Sequence, residues 1–235
     1  MDAFDVLYLI AGILLLPVII YSVLVSSRVN RTFRDYSQIF ARSGMTGYEV
    51  TRKMLKYANL NDVKIDRVRG NLTDHYDPRN NTIYLSDSVF SSNSVAAIGV
   101  AAHETGHAIQ HNQNYVPVKV RSLLVPVVSI GSRFSIPLIF MGFILGVGSA
   151  FGLYIVYIGI AFYALSTIFM LVTLPVEFNA SSRAKNLLLE MKILNEEEAH
   201  QASRVLNAAA KTYVASFAVS LLFLIRMLGL FGRRR

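Results

Sequence analysis

The chain contains no cysteine. Disulfides are therefore excluded, and so are cysteine-protease chemistry and any thiolate-ligated metal. Charge is scarce as well: 16% of the 235 residues are Asp, Glu, Lys or Arg, against about 25% in an average globular domain. The shortage is local. No acidic or basic side chain occurs from Val6 to Ser27, and none from Phe134 to Val176, a run of 43 residues. A spanning helix needs about 20 apolar residues, so the first run fits one span and the second fits two. Near the middle of the second run Gly146, Gly148, Ser149 and Gly152 offer a turn. These absences imply an α-helical multi-pass membrane protein.

The first apolar run reads as a retained anchor. Its front end is acidic (Asp2, Asp5) where a signal peptide needs positive charge, and SVLVSS offers no small-residue cleavage site. The net charge of +8 comes in part from Arg28, Arg31, Arg34 and the terminal GRRR, which flank apolar stretches. That placement suits anionic lipid head groups, and no nucleic-acid motif accompanies it, so the lipid bilayer is the expected partner and nucleic acid is not.

The expected organisation has five parts: an anchor over 1–27, a catalytic region over 28–121, a lead-in and two-span hairpin over 122–176, a helical region over 177–212, and an apolar span or interfacial helix with a basic tail over 213–235. In the polar region Thr46 and Glu49 form a capping-box pattern ahead of a helix. VKIDRV alternates like a strand, DHYDPRNN is turn chemistry, and NTIYLS (81–86) reads as a short strand offering an edge to an extended substrate. Ser94 is placed to cap the next helix, about 95–112, whose Ala and Gly residues leave it slim. SLLVPVVSIGS (122–132) exceeds what two spans need and reads as an interfacial lead-in, with Arg133 at the boundary or facing protein.

That helix carries AAHETGHAIQH (101–111), in which His103, Glu104 and His107 match H-E-x-x-H. Two histidines one turn apart can reach a single zinc ion, with Glu104 beside it to take a proton from metal-activated water. Catalytic zinc normally takes three protein groups. His111 lies on the same face, but it sits about 12 Å from His103 along the axis, while zinc–nitrogen bonds are about 2 Å. His75, Asp74, Asp77 and Asp87 precede the motif and are weaker candidates, Asp77 being better suited to organising its own turn. Glu177 in LPVEFNASSRA is the best third ligand. Two spans between 134 and 176 return the chain to the face that holds His103 and His107.

HYDPRNNTIYLSDSVF, then VAAHETGHAIQH, then LVTLPVEFNASSRA together resemble the YugP-type membrane zinc metallopeptidases, a neutral metallopeptidase family similar in layout to the heat-shock-induced membrane metalloproteases of bacteria. The resemblance covers nearly the whole chain. It implies a small zincin-like α+β catalytic domain, one catalytic Zn²⁺ held by His103, His107 and Glu177, and Glu104 as general base. The family pattern after the Glu tends to read E-F-D-A-S, and this chain has Asn179 at the Asp. The related heat-shock proteases have an Asp where this chain has Ser181. Asn179 or Ser181 would then take the place of a carboxylate on a histidine N–H.

The expected reaction is hydrolysis of peptide bonds in unfolded or membrane-associated polypeptides, with Tyr76, His111, Arg133 and Arg183 as candidates for holding the oxyanion. Arg28, Arg31 and Arg34 after the anchor put the expected catalytic face in the cytoplasm, although a true span at 213–232 would carry GRRR to the other side; the expected location is the cell (inner or plasma) membrane. An intramembrane protease is disfavoured because Val95–Ala102, ahead of the motif, is a short apolar run with no second Asp-containing membrane motif. A non-catalytic zinc-containing membrane scaffold or adaptor is the alternative. The acidic run Glu196–Glu198 reads as a helix N-terminal complement, not a site. Association with a second copy or another membrane protein is left open by the sequence.

Overall fold

The computed structural model describes residues 3–232. In chain order the elements are α1 (Ala3–Tyr36), α2 (Gly47–Tyr57), β1 (Lys64–Val68), β2 (His75–Asp77), β3 (Thr82–Ser86), the single-turn α3 (Asp87–Phe90), α4 (Val95–Asn112), α5 (Val116–Ile144), α6 (Ala150–Glu190) and α7 (Glu196–Gly232). The described residues divide into two compact units: 3–24, 120–174 and 212–232 form one, and 25–119 and 175–211 form the other.

Among the described residues the regular structure of the first unit is all helix. Among the described residues four helices, α1, α5, α6 and α7, are long and apolar enough to cross a membrane. Their apolar windows are only 17% to 28% buried, so residues such as Leu16, Leu123 and Ile144 turn outward. In water such a surface would drive aggregation; in a bilayer it is the surface the solvent requires. Small residues let the backbones meet. A Cβ on Gly159 would lie 2.8 Å from the Ser135 carbonyl, and one on Gly142 would lie 2.6 Å from that of Gly152. The α5–α6 turn falls at residues 145–149, where Gly146 takes φ +87° and the Ser149 hydroxyl donates to its carbonyl at 2.8 Å.

Two stretches that the sequence left undecided are helical. Residues 122–132 lie within α5, which continues through Arg133. Residues 213–232 belong to α7. Arg226 of α7 donates to the Tyr8 hydroxyl at 3.3 Å and stands 5.0 Å from its ring centroid. Asp2 and the last three arginines lie outside the described residues.

The second unit holds a three-stranded sheet in the order β1-β3-β2. β1 runs parallel to β3 with Ile65 opposite Ile83, and β2 runs antiparallel to it with Tyr76 opposite Ile83. The expectation that residues 81–86 offer a free edge is therefore corrected. β3 is the central strand: its backbone groups are taken on both sides and four of its five residues are buried. The edge next to α4 belongs to β2, a strand hidden in sequence by the turn chemistry around Pro78. Its polar, half-exposed residues carry no apolar alternation.

α2 opens with the expected capping box: Glu49 N donates to Thr46 Oγ1 at 3.3 Å, and Thr46 N donates to the Glu49 carboxylate at 2.8 Å. α4 opens on Ser94, which accepts from Ala97 N at 3.2 Å. Met54, Ile98, Leu188 and Ile193 pack on one side of α4, and Leu55, Ile83, Leu85 and Val89 on another. Each such side chain stabilises the fold by about 1.5–3 kcal/mol when fully buried. Small residues set how closely the neighbours approach. A Cβ on Gly99 would lie 3.1 Å from Ala202 Cβ, and one on Gly106 would lie 2.7 Å from the Ala180 carbonyl oxygen. At the start of α7, Glu198 accepts from Asn195 N and Arg42 N, and its own N–H donates to Asn195 Oδ1. The acidic run is thus a helix cap that also ties down a loop.

Candidate metal centre

One turn of α4 separates His103 from His107, and helix geometry turns both rings the same way. Their Nε2 atoms lie 3.2 Å apart, with the rings nearly perpendicular at 82°. The 175–190 part of α6 brings Glu177 to the same point. Its Oε2 is 3.4 Å from His103 Nε2 and 3.7 Å from His107 Nε2. Among the described residues this is the one group of three His, Asp or Glu side chains whose donor atoms lie within 4.8 Å of one another.

The donor set fits a zinc ion. Two imidazole nitrogens and a carboxylate oxygen are donors zinc accepts, and bonds of about 2.0–2.2 Å in a tetrahedron separate such atoms by about 3.3–3.6 Å. The observed separations of 3.2, 3.4 and 3.7 Å bracket that range. Glu177 is only 5% exposed, and a buried carboxylate is costly unless opposite charge or hydrogen bonds compensate it.

Each histidine is also engaged at its outer nitrogen. His103 Nδ1 meets Ser181 Oγ at 3.1 Å, and His107 Nδ1 meets Gln110 Oε1 at 3.1 Å. Asn179 does not reach a histidine. It accepts from Gln110 Nε2 at 2.9 Å and from Arg183 Nε at 2.7 Å. Gln110 Nε2 also donates to the Val176 carbonyl at 2.8 Å. Arg183 is further held by Gln113 Oε1 at 2.6 Å, with Tyr115 beside its guanidinium.

Glu104 is 8% exposed on the same turn of α4. Asp74 stands close enough to feel its charge. Burial pushes the Asp74 carboxyl above its ordinary range and Glu104 adds to the rise, while hydrogen bonds from Ser86 N and Oγ, both 2.7 Å, oppose it. Two acidic groups are thus gathered on the sheet side of α4.

The remaining candidates lie outside the donor cluster. His111 stacks edge-on against Tyr76, with its Nδ1 3.4 Å from the Tyr76 hydroxyl, which donates to Asn81. His75 bonds the Thr73 carbonyl and stacks on Tyr84. Asp77 accepts three hydrogen bonds from Arg79, so it organises its turn. Asp87 accepts from Gly70 N. Arg133 belongs to the helical unit, whereas Tyr76, His111 and Arg183 share the unit that holds the cluster. Sequence reading missed Gln110. Its mark is structural, a fully buried polar side chain three positions after His107; in the sequence a Gln at helical spacing has no chemistry of its own to single it out.

Four helices fit for a bilayer and a buried cluster of two imidazoles and a carboxylate describe a membrane protein with a candidate His₂Glu metal centre. The chain belongs to the family described as "Putative neutral zinc metallopeptidase", whose model matches residues 11–232. It is similar to the "Putative membrane protease YugP" of Bacillus subtilis (strain 168), at 43% identity over 204 residues, which cover 87% of this chain and 88% of that protein. No solved structure matches the chain. Both the relative and the four apolar helices support a membrane location.

Proposed function

We propose that this chain is a membrane-anchored, zinc-dependent endopeptidase of zincin-like design. His103, His107 and Glu177 hold one ion and Glu104 is the general base. The observation that carries this reading is the meeting of three donor atoms, two from α4 and one from a helix 70 positions further along, at separations suited to one tetrahedral ion. Zinc bound there supplies a Lewis acid that makes water acidic near neutral pH and polarises a carbonyl. The protein's own part is proton handling and placement. The Glu104 carboxylate takes a proton from the attacking water and returns it to the leaving amine nitrogen. The free edge of β2, beside α4, pairs with an extended stretch of substrate through main-chain hydrogen bonds, which favours unfolded or membrane-associated polypeptides. Of the oxyanion candidates, His111 lies edge-on to Tyr76 between β2 and α4 and is the one we assign, because the Tyr76 hydroxyl already donates to Asn81. Arg183 is occupied by Asn179 and Gln113 and is less suited to that task. Arg28, Arg31 and Arg34 after the anchor support a cytoplasmic position for this face.

The test is cleavage of an unfolded protein by the purified, zinc-loaded chain beside Glu104→Gln. Wild type is expected to cut and the variant to lose at least about a hundredfold in rate at equal zinc content. Equal cleavage removes Glu104 from the mechanism. No cleavage by either chain, with zinc held by both, favours the scaffold or adaptor.

A further inference from the structure

The hydrogen bonds around Gln110 leave no freedom in their direction. A side-chain amide can be turned either way, so its orientation must be read from partners that play only one role. Two such partners close this network. The Val176 carbonyl only accepts, so the Gln110 atom 2.8 Å from it is the amide nitrogen. Arg183 only donates, so the Asn179 atom 2.7 Å from its Nε is the carbonyl oxygen, and Gln110 Nε2 donates to that same oxygen at 2.9 Å. The Gln110 atom facing His107 is then its oxygen, which can only accept. A neutral His107 then carries its proton on Nδ1, which leaves its Nε2 lone pair facing His103 and Glu177, where a metal ion would lie. Gln110 is fully buried, so water does not compete for either end of the amide.

We propose that Gln110 is the positioning residue of His107, locking its imidazole in the metal-binding tautomer, with Asn179 and Arg183 as the groups that hold Gln110 in that orientation. An imidazole in the other tautomer would aim an N–H at the cluster and could not donate a lone pair there. The amide passes the direction of a donor, Arg183, through Asn179 to the ring. An Asp at 179 would accept the same two hydrogen bonds and add a charge facing Arg183, so Asn179→Asp conserves the arrangement. Gln110→Met keeps the bulk and removes both ends of it. The proposal rests on the zinc reading for its purpose, but not for its geometry.

The experiment uses the full-length chain in detergent. Zinc affinity is measured by competition with a chromophoric chelator. The tautomer is read from ¹⁵N-histidine spectra of the zinc-free protein at about pH 8.5, above the ordinary imidazole pKa, with His107 assigned by His107→Asn. Wild type is expected to show His107 as the Nδ1–H tautomer. Gln110→Met and Asn179→Leu are expected to weaken zinc binding about 10- to 100-fold, as loss of a group behind a metal-binding histidine does, and to release the ring into a tautomer mixture. Asn179→Asp is expected to keep the tautomer and bind zinc at least as tightly as wild type. An Nε2–H ring in wild type overturns the proposal. So does Gln110→Met with unchanged zinc affinity, or with weakened affinity and an unchanged tautomer, which would mean simple packing. If Gln110→Met does not fold, Asn179→Leu beside Asn179→Asp decides by the same readouts. If wild type binds no zinc, the metal reading fails, and the spectrum still decides the role of Gln110.

Discussion

His103 and His107 share a helix, a spacing and a common focus, yet the ground behind each is different. Behind His107 stands an amide network that can be satisfied in only one direction, anchored by an arginine and a backbone carbonyl. Behind His103 stands one hydroxyl, Ser181 Oγ, which can donate or accept and so suits either tautomer. The difference teaches that equal sequence spacing does not mean equal restraint. One side of the cluster is directed by its surroundings, and the other takes its direction from what it binds.

The largest effect is expected from a change that disables both sides at once. Gly106 lies between the two histidines, and a Cβ there would meet the Ala180 carbonyl oxygen at 2.7 Å. Glu177, Asn179 and Ser181 all sit on that stretch of α6. Gly106→Val is expected to push the stretch away from α4, cost about 1–3 kcal/mol in overpacking, and abolish zinc retention after gel filtration while helical circular dichroism persists. Retained zinc would show that the cluster does not depend on this close approach.

Next in size comes the asymmetry itself. Ser181→Ala is expected to weaken zinc binding only a few-fold, less than the loss of a fixed partner, which typically costs about 10- to 100-fold. The same chelator competition used for Gln110→Met measures it. Equal losses for the two variants would break the comparison and make the hydroxyl as directive as the amide.

The smallest effect concerns stability on the sheet side of α4. Because the folded Asp74 carboxyl is raised above its ordinary value of 3.8, the folded protein holds that proton more tightly than the unfolded chain. Its contribution is favourable below the ordinary value and fades as pH rises through the folded one. Asp74→Asn, which stays neutral, is expected to flatten the fall in stability of the zinc-free protein as pH rises through that window. The measurement is a series of thermal melts, with wild type and variant converging at low pH. Parallel curves would remove Asp74 as the source.

Much of this architecture was legible beforehand because it rests on local rules. Charge-free length marked the apolar stretches now seen in α1, α5 and α6, and the Thr46–Glu49 and Ser94 caps sit where their side chains meet helix N–H groups. Glu177 was reached by counting crossings of the chain, a topological argument that needed no coordinates. Strand order was not legible. NTIYLS has strand composition whether it lies in the middle of a sheet or at its edge, and only its pairing with both β1 and β2 decides which. Asn179 or Ser181 was expected to meet a histidine N–H; Ser181 meets His103 directly, whereas Asn179 reaches His107 only through Gln110, a residue whose sequence position suggested nothing more than helix.

By itself, then, the sequence determined the lipid-facing helices, the paired histidines on one face of α4 and the chemistry those residues offer. Those features follow from hydrophobic length and the 3.6-residue turn, which depend on near neighbours alone. Only the tertiary structure decided that β3 is the central strand and β2 an edge beside α4, that Gly106 admits α6 against α4, and which atom of which amide faces which imidazole. Such facts depend on the distance and direction between groups some 70 residues apart in sequence, and local propensity carries no information about either.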